Sequence, residues 1–116
     1  MKWILLIALL LIAAGGFLLY LFKPKQRKRT ESIYTHALNA MVRGDTRTAL
    51  KHLRDVVKQD TNHIDAYLQM GDILREEDNA QAAIKIHQSL TVRPNLNNEI
   101  KRDIHQSLAR DFMQIG

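Results

Sequence analysis

Hydrophobic and polar residues are distributed along this chain in two different patterns. From Trp3 to Phe22 the chain carries no charged side chain. From Glu31 onwards, apolar residues recur every three or four positions in five blocks, which are separated by short polar stretches. This period is typical of amphipathic helices, and no stretch favours a strand. The pattern predicts helices over Glu31–Arg43, Thr46–Lys58, His63–Glu76, Ala80–Val92 and Glu99–Ile115, with Asp45 and Asn62 as N-caps.

The helical blocks also resemble one another at a fixed distance. The clearest example contains an aromatic residue, then a Gly and later an Ala, at Tyr67, Gly71 and Ala83. This spacing is that of the 34-residue tetratricopeptide repeat. Shifted by one such repeat length, the matching pairs are Ala37 with Gly71, Gly44 with Asp78, Ala49 with Ala83, Leu53 with His87 and Val56 with Leu90. Downstream the register slips by one further helical turn, and Met70, Gly71, Leu74 and Asp78 then match Leu108, Ala109, Phe112 and Gly116.

This self-similarity predicts an all-α protein whose residues 31–116 form a short α-solenoid. It would contain two complete repeats, at 30–63 and 64–97, and the first helix of a third at 98–116. On that last helix we expect Ile104, Leu108, Phe112 and Ile115 to be only half covered. Either the chain is a fragment of a longer array, or a partner covers this face.

The uncharged stretch predicts a transmembrane anchor over residues 1–22. As a helix, a stretch of about 20 residues spans roughly 30 Å, which matches the hydrocarbon core of a bilayer. Trp3 and Tyr20 stand near its two ends, where aromatic rings prefer the interface. The alternative is a cleaved signal peptide, with the small residues from Ala13 to Gly16 as its cleavage site.

Charge adds an orientation to this picture. The net charge is +5, but residues 30–116 carry 11 basic and 12 acidic side chains, so the excess lies near the membrane. Pro24 is expected to stop the membrane helix. The linker at 23–30 would place the repeats in the cytoplasm by the positive-inside rule, and it could also hold anionic lipid headgroups. Its basic residues are Lys23, Lys25, Arg27, Lys28 and Arg29. Because the repeats are nearly neutral, nucleic acid is not an expected partner.

A search for catalytic or metal-binding residues yields no candidate site. There is no Cys, and no two of the five His residues stand four apart on a helix. His87 and His105 fall at predicted packing positions. Glu76, Glu77 and Asp78 form a charge run in a turn, and no Ser lies in a nucleophile motif. We therefore expect a non-enzymatic protein without a cofactor or a small-molecule substrate.

What remains is a surface for protein partners. In tetratricopeptide folds the first helix of each repeat lines a concave groove, which suits an extended or helical peptide. The residues expected there are Tyr34, Leu38, Met41, Asp65, Leu68, Asp72, Arg75, Gln106, Arg110 and Met113. The alternative is that so short an array has little groove and that these residues simply face solvent.

Two runs within this layout resemble a known family. They are the segment from Ala83 to Leu90, which includes Ile86, His87 and Gln88, and the segment from Leu108 to Met113. Together with the membrane span and the basic stop, they are similar to the N-terminal portion of the lipopolysaccharide assembly protein B family. The resemblance implies an inner-membrane adaptor with cytoplasmic repeats. Such proteins act with a membrane protease on the deacetylase that commits carbon to lipid A. They end in a rubredoxin-like metal domain built on two Cys pairs, and this chain has no Cys.

The sequence therefore predicts a membrane-tethered scaffold, single-pass in a bacterial inner membrane, that binds a membrane protease or subunits of a membrane complex. The alternative is a small accessory subunit that packs permanently into a larger membrane assembly.

Overall fold

The computed structural model of the chain describes residues 1–21 and 27–116. Within these residues all regular structure is helical, which confirms the all-α prediction. The helices are α1 (Lys2–Val42), α2 (Thr46–Gln59), α3 (Ile64–Glu76), α4 (Ala80–Thr91) and α5 (Asn98–Ile115). α1 packs on α2 and α3 packs on α4, while α5 contacts both α3 and α4. This is the stacking of helix pairs expected of a repeat array.

The boundary predictions are confirmed within one residue for every helix end but one. The exception is the start of the first repeat helix, which was predicted at Glu31. Residues 27–30 are already helical, so the helix begins before the predicted position. No helix breaker stands between Arg27 and Val42, and an ion pair of 3.7 Å joins Arg27 to Glu31 one turn later. The predicted stop at Pro24 lies outside the described residues.

The turns show the repeat most directly. Gly44 and Asp78 both have positive φ angles, of 75° and 63°, and Gly116 has a φ of 81°. The same backbone hydrogen bond forms after the first helix of each complete repeat, that is, after α1 and after α3. Asp45 N–H donates to Ala40 O and, one repeat later, Asn79 N–H donates to Leu74 O. This is the left-handed C-cap of a helix, and it recurs at the predicted spacing.

The helix starts follow the same rule with one correction. Asp45, Asn79 and Asn97 each accept a hydrogen bond from the backbone N–H three residues later. The predicted cap Asn62 is wrong, because α3 begins one residue later. His63 caps α3 instead, and its Nδ1 accepts from Ala66 N–H at 3.1 Å.

Two apolar clusters hold the helices together. The first lies between α1, α2 and α3 and centres on buried Ala37, Leu53, Val56 and Ile73. The second joins α3, α4 and α5 through Leu68, Leu90 and Ile104. Burial of these side chains is the main favourable contribution to the stacking.

The first half of α1 packs on nothing in the described part of the chain. Residues Lys2–Leu21 form a 20-residue stretch with a mean hydropathy of 2.8, and none of it is buried. By length and composition it is able to cross a membrane. Trp3 and Tyr20, near its ends, are 79% and 72% exposed.

Candidate protein-interaction surface

In the first repeat, two of the three predicted groove residues lie partly within the fold. The Tyr34 ring packs at a tilt of 55° against the His63 ring, with 4.5 Å between ring centroids, and Met41 packs against the first cluster. Leu38 is 36% exposed. Burial, with the negative charge of Asp65 in second place, raises the pKa of Tyr34 above its usual 10.0. The structure therefore brings Tyr34 close to Asp65, another of the predicted residues.

In the second repeat, the predicted residues divide between surface and interior. Asp65 is exposed in the first turn of α3. Leu68 is buried beside Leu90 and Ile104, so its side chain is not available to a partner. Asp72 and Arg75 have side chains that are 22% and 12% exposed, and they bond to each other at 3.1 Å. Their charges are used within the fold.

On the last helix, Gln106, Arg110 and Met113 are all exposed. They lie on the side of α5 opposite the buried stripe of Ile104 and Asp111. Partner binding at any of the ten predicted positions stays a prediction. The structure leaves Tyr34, Leu38, Met41, Asp65, Gln106, Arg110 and Met113 at least partly accessible.

Behind this surface lies a network of charged side chains that was not predicted. The Arg75 guanidinium donates from Nη1 to Asp111 Oδ1 at 2.9 Å, to Asp72 Oδ1 at 3.1 Å and to the backbone O of Ser107 at 3.3 Å. The Asp111 side chain is fully buried. A buried carboxylate needs such partners, because removing its charge from water costs several kcal/mol.

His87 completes the network from α4. Its Nδ1 lies 2.5 Å from Asp111 Oδ2, and its Nε2 lies 3.2 Å from the backbone O of Leu68. Asp72 Oδ1 is 3.6 Å from the same Nε2. Both ring nitrogens thus face oxygen atoms that can accept a hydrogen bond. In the described residues, no buried side-chain N or O lacks a hydrogen-bond partner.

The position of this network is informative. Shifted back by one repeat, Asp72, Arg75 and His87 correspond to Leu38, Met41 and Leu53, and Asp111 corresponds to Ile73. Leu53 and Ile73 are buried in the first cluster. The junction between the first and second repeats is therefore apolar, whereas the equivalent junction between the second and third repeats is charged. Its chemical role is to hold α5 in place.

The predicted packing role of His87 is confirmed, because its side chain is fully buried. A Cβ added to Gly71 would overlap the His87 ring. The close approach of α3 to α4 therefore requires a residue without a side chain at this position. The His87–Asp111 pair resembles part of a catalytic triad, but Nε2 bonds to a backbone carbonyl and both side chains are inaccessible.

Two packing predictions on α5 are wrong. His105 is exposed, although its counterpart Tyr67 packs against the second cluster. Ile104 was expected to be half covered and is 1% exposed. The reason is that α5 contacts α3 and α4 along a single stripe that includes Ile104 and leaves out His105. Phe112 and Ile115 are about half exposed, as predicted, at 52% and 53%.

The predicted basic residues are only partly described. Arg27, Lys28 and Arg29 are exposed on α1. Lys23 and Lys25 lie outside the described residues. Their predicted role in topology or lipid binding is not tested by the fold.

Comparison with known proteins gives curated relatives but no matching family model. The chain is 29% identical to lipopolysaccharide assembly protein B of Escherichia coli K12 over 94 residues, which cover 81% of this chain and 24% of that protein. It is 27% identical to the Haemophilus influenzae protein of the same name, covering 96% of this chain and 32% of that protein. The chain thus spans about a quarter to a third of the length of these relatives. The resemblance found in the sequence is confirmed: over most of its length, this chain is similar to lipopolysaccharide assembly protein B.

Proposed function

We propose that this chain is a membrane-tethered, non-enzymatic adaptor that takes part in lipopolysaccharide assembly. The observation that carries the proposal is an unburied, 20-residue apolar stretch of α1 on the same chain as a folded helical repeat array. The relatives named for lipopolysaccharide assembly support the biological setting. Tethering raises the effective concentration of a bound partner near its membrane target.

In this proposal the span crosses the bacterial inner membrane once and the repeats lie in the cytoplasm. The exposed Arg27, Lys28 and Arg29 support that orientation, since Lys and Arg concentrate on the cytoplasmic side. The partner surface comprises the accessible members of the predicted set, with Leu38 and Met113 as apolar anchors. A membrane protease that degrades the committed deacetylase of lipid A synthesis is the proposed partner.

Site-specific photo-crosslinking in native membranes tests this surface. A photoreactive residue at Leu38 or Arg110 should form an adduct with a discrete membrane protein. The matched control sites are Lys85 and Ser89, which are exposed on α4. Equal adducts at all four sites would contradict a dedicated surface on the first helices of the repeats.

The protease-coupled role has its own measurement. In cells that lack the gene for this protein, the half-life of the deacetylase should lengthen, and expressing the gene again should restore it. An unchanged half-life would remove the protease-coupled role and leave the adaptor proposal to the crosslinking result.

The exposed Phe112 and Ile115 favour a second candidate function, that of an accessory subunit buried in a larger assembly. Its signature is co-purification with another protein in a fixed ratio, together with crosslinks from Phe112. An adaptor would instead give variable ratios that depend on the abundance of its partner.

A further inference from the structure

An exposed row of apolar side chains lies on the part of α1 that belongs to the first repeat. Tyr34, Leu38 and Val42 follow one another at intervals of four residues, which keeps them within an arc of about 80° on the helix. We call these three residues the apolar ridge. Leu38 is 36% exposed and Val42 is 88% exposed, and neither belongs to an apolar cluster of the described residues. Their side chains are therefore accessible to another molecule.

The helix α3 carries negative charge on its exposed side. Across the described residues of α3, only Asp65 and Glu76 are exposed, and the side chain of Asp72 between them is 22% exposed. The three carboxylates lie within an arc of about 40° on the helix, and we call them the acidic face. Asp72 is paired with Arg75, whereas Asp65 and Glu76 form no ion pair with any described residue. The charges at the two ends of the acidic face are thus not neutralised within the described fold.

The apolar ridge and the acidic face lie side by side. At one end, the Tyr34 ring packs against His63, which caps α3. At the other end, Thr46 Oγ1, shortly after α1, donates to Glu77 Oε1, directly after α3, at 2.6 Å. The two helices therefore run next to each other in the same direction. Burial and, in second place, the Asp65 charge raise the pKa of the Tyr34 hydroxyl, so Asp65 lies beside the ridge.

This combination selects the chemistry of a partner. Apolar side chains gain free energy by leaving water against Leu38 and Val42. Unpaired carboxylates attract Lys and Arg and repel an acidic segment. The basic residues of the predicted groove do not cancel this preference, because Arg75 is held by Asp72 and Asp111 and Arg110 belongs to α5.

We propose that the apolar ridge and the acidic face together bind a Lys- or Arg-rich peptide segment of a partner protein. Its apolar side chains contact Leu38 and Val42, and its cations contact Asp65 and Glu76. Those two carboxylates are about 17 Å apart along α3, a distance that about five residues of extended peptide cover. This inference rests on the adaptor role of the proposed function and specifies the chemistry of the partner.

Charge-swapped peptides test the preference. The probes are two fluorescent synthetic peptides, one built from Lys and Leu and one with Glu in place of each Lys, both long enough to span the acidic face. Fluorescence anisotropy measures their binding to the full chain in an uncharged detergent, with binding to empty micelles subtracted. The Lys peptide should bind at least about tenfold more tightly than the Glu peptide. The difference should shrink in high salt, because ions screen exposed charges.

A matched pair of charge reversals assigns this binding to the acidic face. Asp65→Lys and Glu99→Lys each reverse an exposed carboxylate in the first turn of a repeat helix. Both place a cation at the positive end of a helix dipole, so a loss of helix stability would be common to the two. Asp65→Lys should weaken binding of the Lys peptide about tenfold, whereas Glu99→Lys should leave it unchanged.

A second matched pair tests the apolar ridge. Val42 and Val92 are 88% and 82% exposed, and each lies at the C-terminal end of a helix. Val42→Ser should weaken binding of the Lys peptide about threefold, because it removes apolar surface that the peptide covers. Val92→Ser should have no effect on the same measurement.

Equal affinity of the native chain for the two peptides in low salt would overturn the proposal, whether or not a variant folds. Equal losses within either matched pair would overturn it as well. The photo-crosslinks described above separate this inference from the adaptor role. A Leu38 adduct on a partner segment without an excess of Lys or Arg contradicts the inference and leaves the adaptor standing. Absence of adducts at both Leu38 and Arg110 contradicts the adaptor surface, and this inference with it.

Discussion

Single residues determine how α5, the first helix of the third repeat, packs on the second repeat. At the junction between the first two repeats, Leu53 and Ile73 are buried in an apolar cluster. At the next junction, His87 and Asp111 occupy the same positions and bond at 2.5 Å. The polar pair gains little net stability over an apolar one, but its members depend on each other, because either alone is a buried group without its partner.

A double-mutant cycle tests this dependence. Asp111→Ile should lower the free energy of unfolding by about 3 kcal/mol, since it leaves His87 and Arg75 without a buried partner. Adding His87→Leu should recover part of that loss by restoring the apolar pair of the first junction. Chemical denaturation in detergent micelles gives the four values. As a control, Asn97→Ala removes the α5 cap and should cost about 1 kcal/mol independently of Asp111→Ile. Additive effects at His87 and Asp111 would contradict the coupling.

Gly71 supplies a second residue-level prediction. Gly71→Ala should destabilise the fold by about 2 kcal/mol, because the added methyl group overlaps the buried His87 ring. In a His87→Leu background the cost should shrink, since Ala37 and Leu53 occupy the corresponding positions in the first repeat. Thermal unfolding followed by circular dichroism compares the variants. An equal cost in both backgrounds would show that backbone, not the imidazole, limits the space.

The raised pKa of Tyr34 predicts that the free energy of unfolding falls at alkaline pH. Its pKa is raised in the fold by burial and by the Asp65 charge, so the unfolded chain loses the phenolic proton first. The Tyr34 contribution is therefore complete below the usual tyrosine pKa and is lost as pH rises through the raised value. Unfolding measured on both sides of that range should show a smaller loss for Tyr34→Phe than for the native chain. Equal losses would contradict the assignment.

The sequence predicted the packing of His87 but not its partner. A carboxylate such as Asp111, on a helix with many charges, is ordinarily read as solvent-exposed. The available signal lay in the repeat register. Three apolar positions of the first repeat become Asp72, Arg75 and His87 in the second, and such a joint change indicates a buried polar cluster more than a groove.

At the scale of elements, helix bounds were predictable because caps and turns are local. Asp45 caps α2 through its own side chain, and Gly44 adopts its positive φ without help from distant residues. The start of the first repeat helix was not predictable in this way, since helix continues through residues 27–30 before the packed segment begins. Exposure on α5 also escaped prediction, because it depends on which elements pack there.

The two turns at equivalent positions allow a reciprocal test. Gly44→Ala should cost about 1 kcal/mol, because a Cβ disfavours the left-handed conformation that φ 75° requires. Asp78→Gly should be neutral or stabilising, since Asp78 already bears that strain at φ 63°. Asp78→Asn is the matched control, as Asn tolerates this region too. Unfolding midpoints measure all three, and a stable Gly44→Ala would contradict the equivalence of the turns.

At the scale of the whole molecule, the span and the repeats are energetically separate. None of Lys2–Leu21 is buried, so the repeats do not depend on it for packing. Deleting residues 2–21 should move the protein to the soluble fraction and leave the amide exchange protection of α2–α5 unchanged. An unrelated membrane span in the same place should return it to the membrane. Loss of protection in α3 or α4 after the deletion would show that the span supports the repeats.

The difference between the apolar and the charged junction also affects which helix can dock at which repeat during folding. Were α5 to dock on the first repeat, the Asp111 carboxylate would meet Leu53 and lie buried without a partner. Were α3 to dock where α5 belongs, Ile73 would meet the His87 imidazole and leave it unsatisfied. Each site thus rejects the helix of the other, and so do the same sites on a neighbouring copy of the chain. The mismatch therefore opposes docking of a helix at the wrong repeat, within one chain or between two copies, because such docking buries a polar group without its partner.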